Sequence, residues 1–88
     1  MYVELNGSVL HTKDALHDRL ADALQLPAYY GRNLDALYDL LTERNVPLEI
    51  VFAYSEDMKK MMGAYGSTLL HTMLEAENDN IALTVTVI

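Results

Sequence analysis

The chain has 88 residues, no cysteine, and a formal net charge of −7 from 13 acidic and 6 basic residues. Its size predicts one domain over residues 1–88, and the lack of a secretion signal or of a long apolar run predicts a cytoplasmic location. The negative charge argues against nucleic-acid or membrane-surface binding, because both require clustered Lys and Arg, and it favours a basic protein partner.

The chain begins with a predicted strand and helix. Apolar and polar residues alternate over residues 2–5, and the turn sequence Asn6-Gly7 ends this strand. A helix is predicted over residues 12–25, because Thr12 is a suitable N-cap and Pro27 prevents continuation. Four of its apolar residues are spaced to face a core: Leu16, Leu20, Ala23 and Leu24.

A second helix is predicted over residues 33–43, starting at the preferred N-cap residue Asn33. One face carries an apolar stripe formed by Leu34, Leu37, Leu40 and Leu41. The opposite face carries acids at i, i+4 and i+8, namely Asp35, Asp39 and Glu43. Like charges at this spacing cost about 0.2–0.5 kcal/mol per pair, so the row favours a surface that meets a cationic partner.

The second half of the chain begins with a predicted strand and a short helix. Residues 48–54 form an almost continuous apolar run, which is typical of a strand covered on both faces. Ser55 is predicted to cap the short helix, whose end is marked by Gly63 and Gly66. The apolar positions of this helix are Met58, Met61 and Met62.

A fourth helix is predicted to begin near Ser67 or Thr68 and to be broken by residues 78–80. Its core positions are Leu69, Leu70, Met73 and Leu74. The uncharged residues 81–88 predict a last strand that needs cover on both faces to avoid aggregation. Because strands joined by helical crossovers pair in parallel, the predicted fold is α/β, with a three-stranded parallel sheet and four helices packed around it.

The sequence argues against an enzyme. His11, His17 and His71 occur singly and without cysteine, so each is expected at the surface or its boundary, and no metal or cofactor is predicted. Asp35 and Asp39 lie on one exposed helix face without a pocket that would separate their pKa values. Two alternatives stay open, a magnesium-assisted hydrolase that uses this acidic row and a purely structural interaction module.

Acid spacing alone does not identify a binding site. The first helix carries the same i, i+4, i+8 row, namely Asp14, Asp18 and Asp22, beside Lys13 and Arg19. The row on the second helix differs because it is flanked by Tyr29, Tyr30 and Tyr38, and tyrosines beside charge are typical of interface hot spots. One tyrosine of the adjacent pair is also suited to pack into the core.

Residues 26–41 read LPAYYGRNLDALYDLL, a long motif of mixed composition. This motif resembles the signature of the barstar family, intracellular protein inhibitors of secreted microbial ribonucleases, and the likeness extends over nearly the whole chain. The resemblance implies a barstar-like α/β fold and a monomer that blocks a nuclease active site stoichiometrically. The alternative is an immunity protein for a different nuclease toxin or for another basic protein.

The resemblance also implies roles for single residues. Asp39 would take the place of the substrate phosphate, Asp35 would meet neighbouring basic groups, and Tyr29 would pack against the catalytic histidine of the nuclease. The further contact positions are Tyr30, Gly31, Asn33, Leu34, Tyr38, Thr42 and Glu75.

Three departures from the family pattern bear on the choice of partner. Tyr38 stands where the namesake has tryptophan, Arg32 replaces an acid, and Glu43-Arg44-Asn45 replaces a segment with another aromatic residue. Arg32 and Arg44 are expected to present like charge to a basic nuclease, which predicts weaker inhibition of the namesake's own target.

Overall fold

The structure, a computed structural model, describes residues 1–88 and contains three strands and four α-helices. The strands are β1 (Tyr2–Asn6), β2 (Leu48–Ala53) and β3 (Leu83–Val87). The helices are α1 (Lys13–Ala23), α2 (Leu34–Glu43), α3 (Ser55–Met62) and α4 (Ala64–Asp79), with a short 3₁₀ helix at Gly7–Val9. The strands form one parallel sheet in the order β1-β2-β3, which confirms the predicted fold class. None of the helices combines the length and apolar composition needed to cross a bilayer.

The core lies against one face of the sheet. The register aligns Val3 with Ile50 and Ile50 with Val85, and all three side chains are buried. On the other face Glu49 and Thr84 are paired and exposed. The prediction that β2 and β3 are covered on both faces is therefore wrong. Polar residues alternate into this second face, so water can solvate it without a covering layer.

The junction between α3 and α4 differs from the prediction. Tyr54, with a left-handed φ of 55°, occupies the N-cap position of α3, while Ser55 is a buried helical residue and makes no cap. Only Gly63, at φ 58°, separates the two helices, so α4 begins before Ser67. Gly66 lies inside α4, where a Cβ atom would come within 2.6 Å of Met58 Sδ. The glycine therefore permits close packing of the two helices rather than ending one of them.

Three side chains lie in surroundings other than those predicted. Leu74 is 44% exposed and Met61 is 57% exposed, because each points away from the buried face of its helix. His17 is only 2% exposed, so the expectation of a surface or boundary position is wrong for this histidine. His11 and His71 are exposed, as predicted.

The C-terminal end of α2 is fixed by a buried amide from the segment before β3. Asn80 Nδ2 donates to the carbonyl oxygens of Leu41 and Arg44, both at 2.8 Å. These carbonyls belong to the last turn of α2 and the residue after it, which lack partners within the helix. The bonds hold α2 against α4 and β3, so its outer face has a defined orientation.

Candidate functional site

The loop before α2 is shaped by the side chain that caps the helix. Asn33 Oδ1 accepts a hydrogen bond from the Ala36 N–H at 2.8 Å, and its Nδ2 donates to the Gly31 carbonyl at 3.1 Å. Arg32, between them, has a left-handed φ of 55°. A Cβ atom at position 31 would lie 3.2 Å from Asn33 Nδ2, tighter than ordinary packing. The loop conformation therefore depends on Gly31 and Asn33 together.

The acidic row of α2 has no cationic partner within the chain. Asp35, Asp39 and Glu43 are exposed, and none of the ion pairs of the molecule includes them. Residues four apart on a helix are neighbours, with about 5–6 Å between Cβ atoms. The three carboxylates therefore form a continuous line of unneutralised charge.

The acidic row of α1 is neutralised instead. Arg32 Nη1 lies 2.8 Å from Asp18 Oδ1, and Arg32 Nη2 lies 3.8 Å from Asp14 Oδ1. Asp22 Oδ2 lies 3.6 Å from Arg19 Nη1. Each carboxylate of this row thus has an arginine beside it. The structure distinguishes two rows that have the same spacing in the sequence.

Arg32 and Arg44 both contact groups of their own chain, and the expectation that they present like charge to a basic nuclease stays a prediction. Arg32 is turned toward α1, where its guanidinium also donates to the Asp14 carbonyl at 3.3 Å. Arg44 Nη1 donates to the Leu24 carbonyl at 3.0 Å, beyond the C-terminal end of α1. Both cations are engaged within the chain because each loop brings the side chain back over α1.

The two adjacent tyrosines of the loop have opposite surroundings. Tyr29 is 80% exposed, whereas Tyr30 is 8% exposed and belongs to the core, as expected for one member of the pair. Burial raises the pKa of Tyr30 to about 12, with the nearby Tyr65 adding to the shift and Arg32 opposing it. A depression of about 200 Å³ connects this loop with the acidic row. It is lined by Tyr29, Tyr30, Gly31, Ala36, Asp39, Leu40 and Glu43.

A second set of acids joins the row from α4. The Tyr38 hydroxyl donates a hydrogen bond to the Asp79 carboxylate, 41 residues later in the chain. This bond is the largest cause of the raised pKa of Tyr38, and the negative charges of Asp79, Glu75 and Asp39 add to it. Acids from both helices therefore surround one tyrosine. Sequence reasoning missed Asp79, although its i, i+4 spacing from Glu75 was a usable signal.

The remaining predicted contact positions lie partly inside the fold. Thr42 is half-buried, and its hydroxyl hydrogen is shared between the carbonyls of Tyr38 and Asp39, which lie 2.9 and 3.1 Å from Oγ1. Leu34 is half-buried against the core. The exposed positions are Tyr29, Gly31, Asn33, Asp35, Asp39 and Glu75. The exposed set supplies aromatic and carboxylate groups, which suit recognition of a cationic surface.

Comparison with known proteins agrees with the motif. The family described as Barstar (barnase inhibitor) matches residues 1–87. A protein of Bacillus subtilis (strain 168) named "Putative ribonuclease inhibitor YrdF" is 38% identical over 76 residues, which cover 85% of this chain and 84% of that protein. The family match confirms the resemblance predicted from residues 26–41.

Proposed function

Because this chain belongs to the Barstar family, we propose that it is a stoichiometric protein inhibitor of a basic, secreted microbial ribonuclease. The family is one of inhibitors, and the chain is not an enzyme. The name of the Bacillus subtilis relative supports a ribonuclease as the target. We define the acidic face as the surface that meets this target. It comprises Tyr29, Asp35, Tyr38, Asp39, Glu43, Glu75 and Asp79.

The observation that carries this proposal is the unneutralised row on α2. A ribonuclease active site binds a polyanion, so it contains cationic groups that have no partner until RNA arrives. Carboxylates at hydrogen-bond distance form short, charge-assisted bonds with such groups. Asp39 mimics the substrate phosphate, because it lies beside the depression next to Tyr29 and has no competing cation in its own chain. Asp35 meets basic groups at the edge of the same site.

The aromatic side chains orient the inhibitor on the nuclease. The exposed ring of Tyr29 packs on the catalytic histidine of the nuclease, while Gly31, Asn33 and Leu34 fix the loop that carries it. Tyr38 is held by Asp79, so its ring reaches the partner in one orientation. Tyr30 supports the loop from below, and Thr42 lies behind the row. Glu75 forms a peripheral acidic contact.

We also propose that the inhibitor is a monomer when free and acts in the cytoplasm. The β3 strand lies at one edge of the sheet, where an exposed row of backbone groups invites pairing between copies. Glu77 Oε2 accepts a hydrogen bond from the Val85 N–H at 2.5 Å, in the middle of this strand. The backbone groups of even-numbered residues such as Ala82 and Ile88 form hydrogen bonds with β2. The N–H of the odd-numbered Val85 therefore points away from β2, toward the open edge, where the Glu77 carboxylate occupies it.

A titration of a barnase-like secreted ribonuclease tests the proposal. RNA cleavage is followed while the inhibitor is added, at low and at high salt. We expect inhibition that saturates at one-to-one and weakens with salt, because the contact is between exposed charges. Absence of inhibition would contradict this target. A pull-down against secreted and toxin nucleases would then identify the alternative, an immunity protein selected by Tyr38 and its partner Asp79.

A further inference from the structure

A buried histidine connects the interface loop to two helices. His17, on α1, is 2% exposed, and its Nδ1 lies 2.6 Å from the Tyr30 hydroxyl. Its Nε2 lies 2.7 Å from the Tyr65 hydroxyl, on α4. Lys13 Nζ lies 4.4 Å from the centre of the Tyr65 ring, which favours a cation–π contact on the outer side. Both imidazole nitrogens are therefore used, and neither reaches the acidic face.

We propose that the Tyr30–His17–Tyr65 chain positions residues 29–33 for partner binding, and that protonation of His17 loosens this loop and weakens inhibition in mild acid. The inference rests on the proposed function and adds its regulation by pH. His17 acts here as a positioning residue, because it touches the loop and not the partner.

Tyr30 is the residue through which the hydrogen bond to His17 holds the loop in position. Tyr30 lies between the exposed Tyr29 and Gly31, so a displacement of the Tyr30 side chain moves both neighbours. Its backbone N–H donates to the Pro27 carbonyl at 2.9 Å, which holds the start of the loop. A neutral imidazole donates from one nitrogen and accepts at the other, so Tyr30 and Tyr65 take opposite roles. Both imidazole nitrogens of His17 have hydrogen-bond partners only while both tyrosine hydroxyls stay in place.

Protonation changes this arrangement by adding a charge to a buried site. Burial is the main reason that the pKa of His17 is lowered, and the Arg32 guanidinium on the loop and Lys13 on α1 add to it. Asp14 and Asp18, also on α1, oppose the shift. From α4 the facing group is the neutral Tyr65 hydroxyl. The positive charge of a protonated His17 therefore lacks a counter-ion on the α4 side.

The sign of the pH effect follows from this lowered pKa. The unfolded chain takes up a proton on His17 near its ordinary pKa of about 6.5, and the folded chain does so only at lower pH. The contribution of neutral His17 to the free energy of unfolding is therefore complete above about pH 6.5 and decreases as the pH falls below that value. The decrease ends once the pH is below the pKa of His17 in the folded chain. If only a fraction of the molecules holds the loop in its binding conformation, the apparent affinity for the partner decreases in proportion to that fraction.

The first test uses the free protein and needs no nuclease. Backbone amide signals of Gly31 and Arg32 are followed by NMR from about pH 8 downward through the transition of the His17 ring, which lies below the ordinary histidine pKa of about 6.5. We expect them to shift with the same midpoint as the His17 ring, and to lose that transition in His17→Gln. Glutamine keeps a donor and an acceptor without a titrating group. The amide of Gly63, between α3 and α4, serves as the control.

If the His17 ring titrates while the Gly31 amide does not follow it, the positioning role is wrong. The same conclusion holds if His17→Gln leaves the loop transition unchanged, since another group then causes it. A Gly63 amide that moves with the same midpoint would indicate a global change and would also contradict the proposal.

The second test measures inhibition of one ribonuclease across the same pH range. Comparing wild type with His17→Gln cancels the titration of the nuclease itself. We expect wild-type affinity to fall by about fivefold or more relative to the variant between pH 7.5 and pH 5, within the usual range of site-to-site coupling. Equal pH profiles would overturn the inference. No inhibition at any pH would instead refute the proposed function, while the NMR test would still decide the positioning role.

A second variant tests the proposal even if the His17→Gln protein does not fold. Tyr65→Phe removes one hydroxyl but keeps the ring and its contact with Lys13, and Tyr65 lies outside the acidic face. We expect weaker inhibition at neutral pH together with a shifted pH midpoint. The matched control is Tyr54→Phe, an exposed tyrosine before α3, which is expected to leave both unchanged. Identical behaviour of the two variants would contradict the proposal.

Discussion

The acidic rows of α1 and α2 have the same spacing in the sequence and different surroundings in the structure. Asp14, Asp18 and Asp22 each have an arginine within 4 Å, whereas the α2 row has none. Arg32 accounts for much of this difference, because it lies in the loop beside α2 and yet turns back to α1. The proposal that the α2 row binds a partner therefore depends on the absence of cations beside it within the chain, and not on its spacing.

The largest expected effect comes from removing one acid from each row. Asp39→Ala is expected to weaken ribonuclease binding by about 2–5 kcal/mol, because it leaves a cation of the nuclease buried and unpaired. This general range already includes charge pairs of the barnase–barstar complex, the namesake of the family. Asp18→Ala removes a carboxylate that is already paired and is expected to cost far less.

Titration calorimetry of both variants against the same ribonuclease measures this difference. Their net charges are equal, so long-range attraction changes similarly in the two proteins. Equal losses of affinity would indicate that overall charge, and not the α2 row, drives association.

The N-caps of the two helices sharpen the comparison. Thr12 Oγ1 accepts from the Ala15 N–H at 3.1 Å at the start of α1, as Asn33 Oδ1 accepts at the start of α2. Replacing either residue by alanine is expected to lower the free energy of unfolding by about 0.5–2 kcal/mol, measured by urea denaturation. Only Asn33→Ala should also weaken inhibition, since Asn33 Nδ2 additionally holds the Gly31 carbonyl.

Inhibition is compared under conditions in which both cap variants remain folded. If Thr12→Ala weakens inhibition as much as Asn33→Ala does, the effect arises from general stability. The geometry of the loop at Gly31 would then have no separate role in binding.

The smallest expected effect comes from Arg32→Ala, which removes the cation that Asp14 and Asp18 share. Two acids of the α1 row would then lack a cation, as the α2 row does, while Asp22 would keep Arg19, and the net charge would become more negative. Association with a basic ribonuclease is expected to accelerate a few-fold at low salt, with little change in dissociation, as is usual for charges at the rim. Exposed ion pairs contribute about 0–1 kcal/mol, so stability should change little.

Stopped-flow measurement at two salt concentrations follows both rate constants of this variant. A slower association, or a faster dissociation, would mean that Arg32 contacts an acid on the partner. In that case the pairing with α1 would not describe the bound state.

The order of the elements followed from the sequence because local signals agreed with one another. Thr12 and Asn33 are both the predicted N-caps, and the leucines of α1 and α2 lie on the expected faces. The open face of the sheet was not predicted, because Val51 and Ala53 make the apolar run of β2 look continuous although both are only half-buried. The start of α4 was missed because a single glycine, Gly63, turns the chain between two helices.

The candidate site was predictable where it depends on one segment and not where it depends on packing between helices. The exposed acids of α2 and the burial of one adjacent tyrosine follow from helical periodicity and composition. The bond from Tyr38 to Asp79 spans 41 positions of the sequence, and the bond between His17 and Tyr65 spans 48. No local pattern encodes such distances, so these contacts required the structure.

Competition with a nucleotide tests the central claim, that the α2 row occupies the phosphate site of the ribonuclease. Inhibition of RNA cleavage is measured while a mononucleotide that binds the ribonuclease active site is raised in concentration. We predict that the apparent inhibition constant increases in proportion to the nucleotide, because Asp39 and the nucleotide phosphate require the same cations. An inhibition constant that does not depend on the nucleotide would contradict the claim, since the inhibitor would then bind away from the active site.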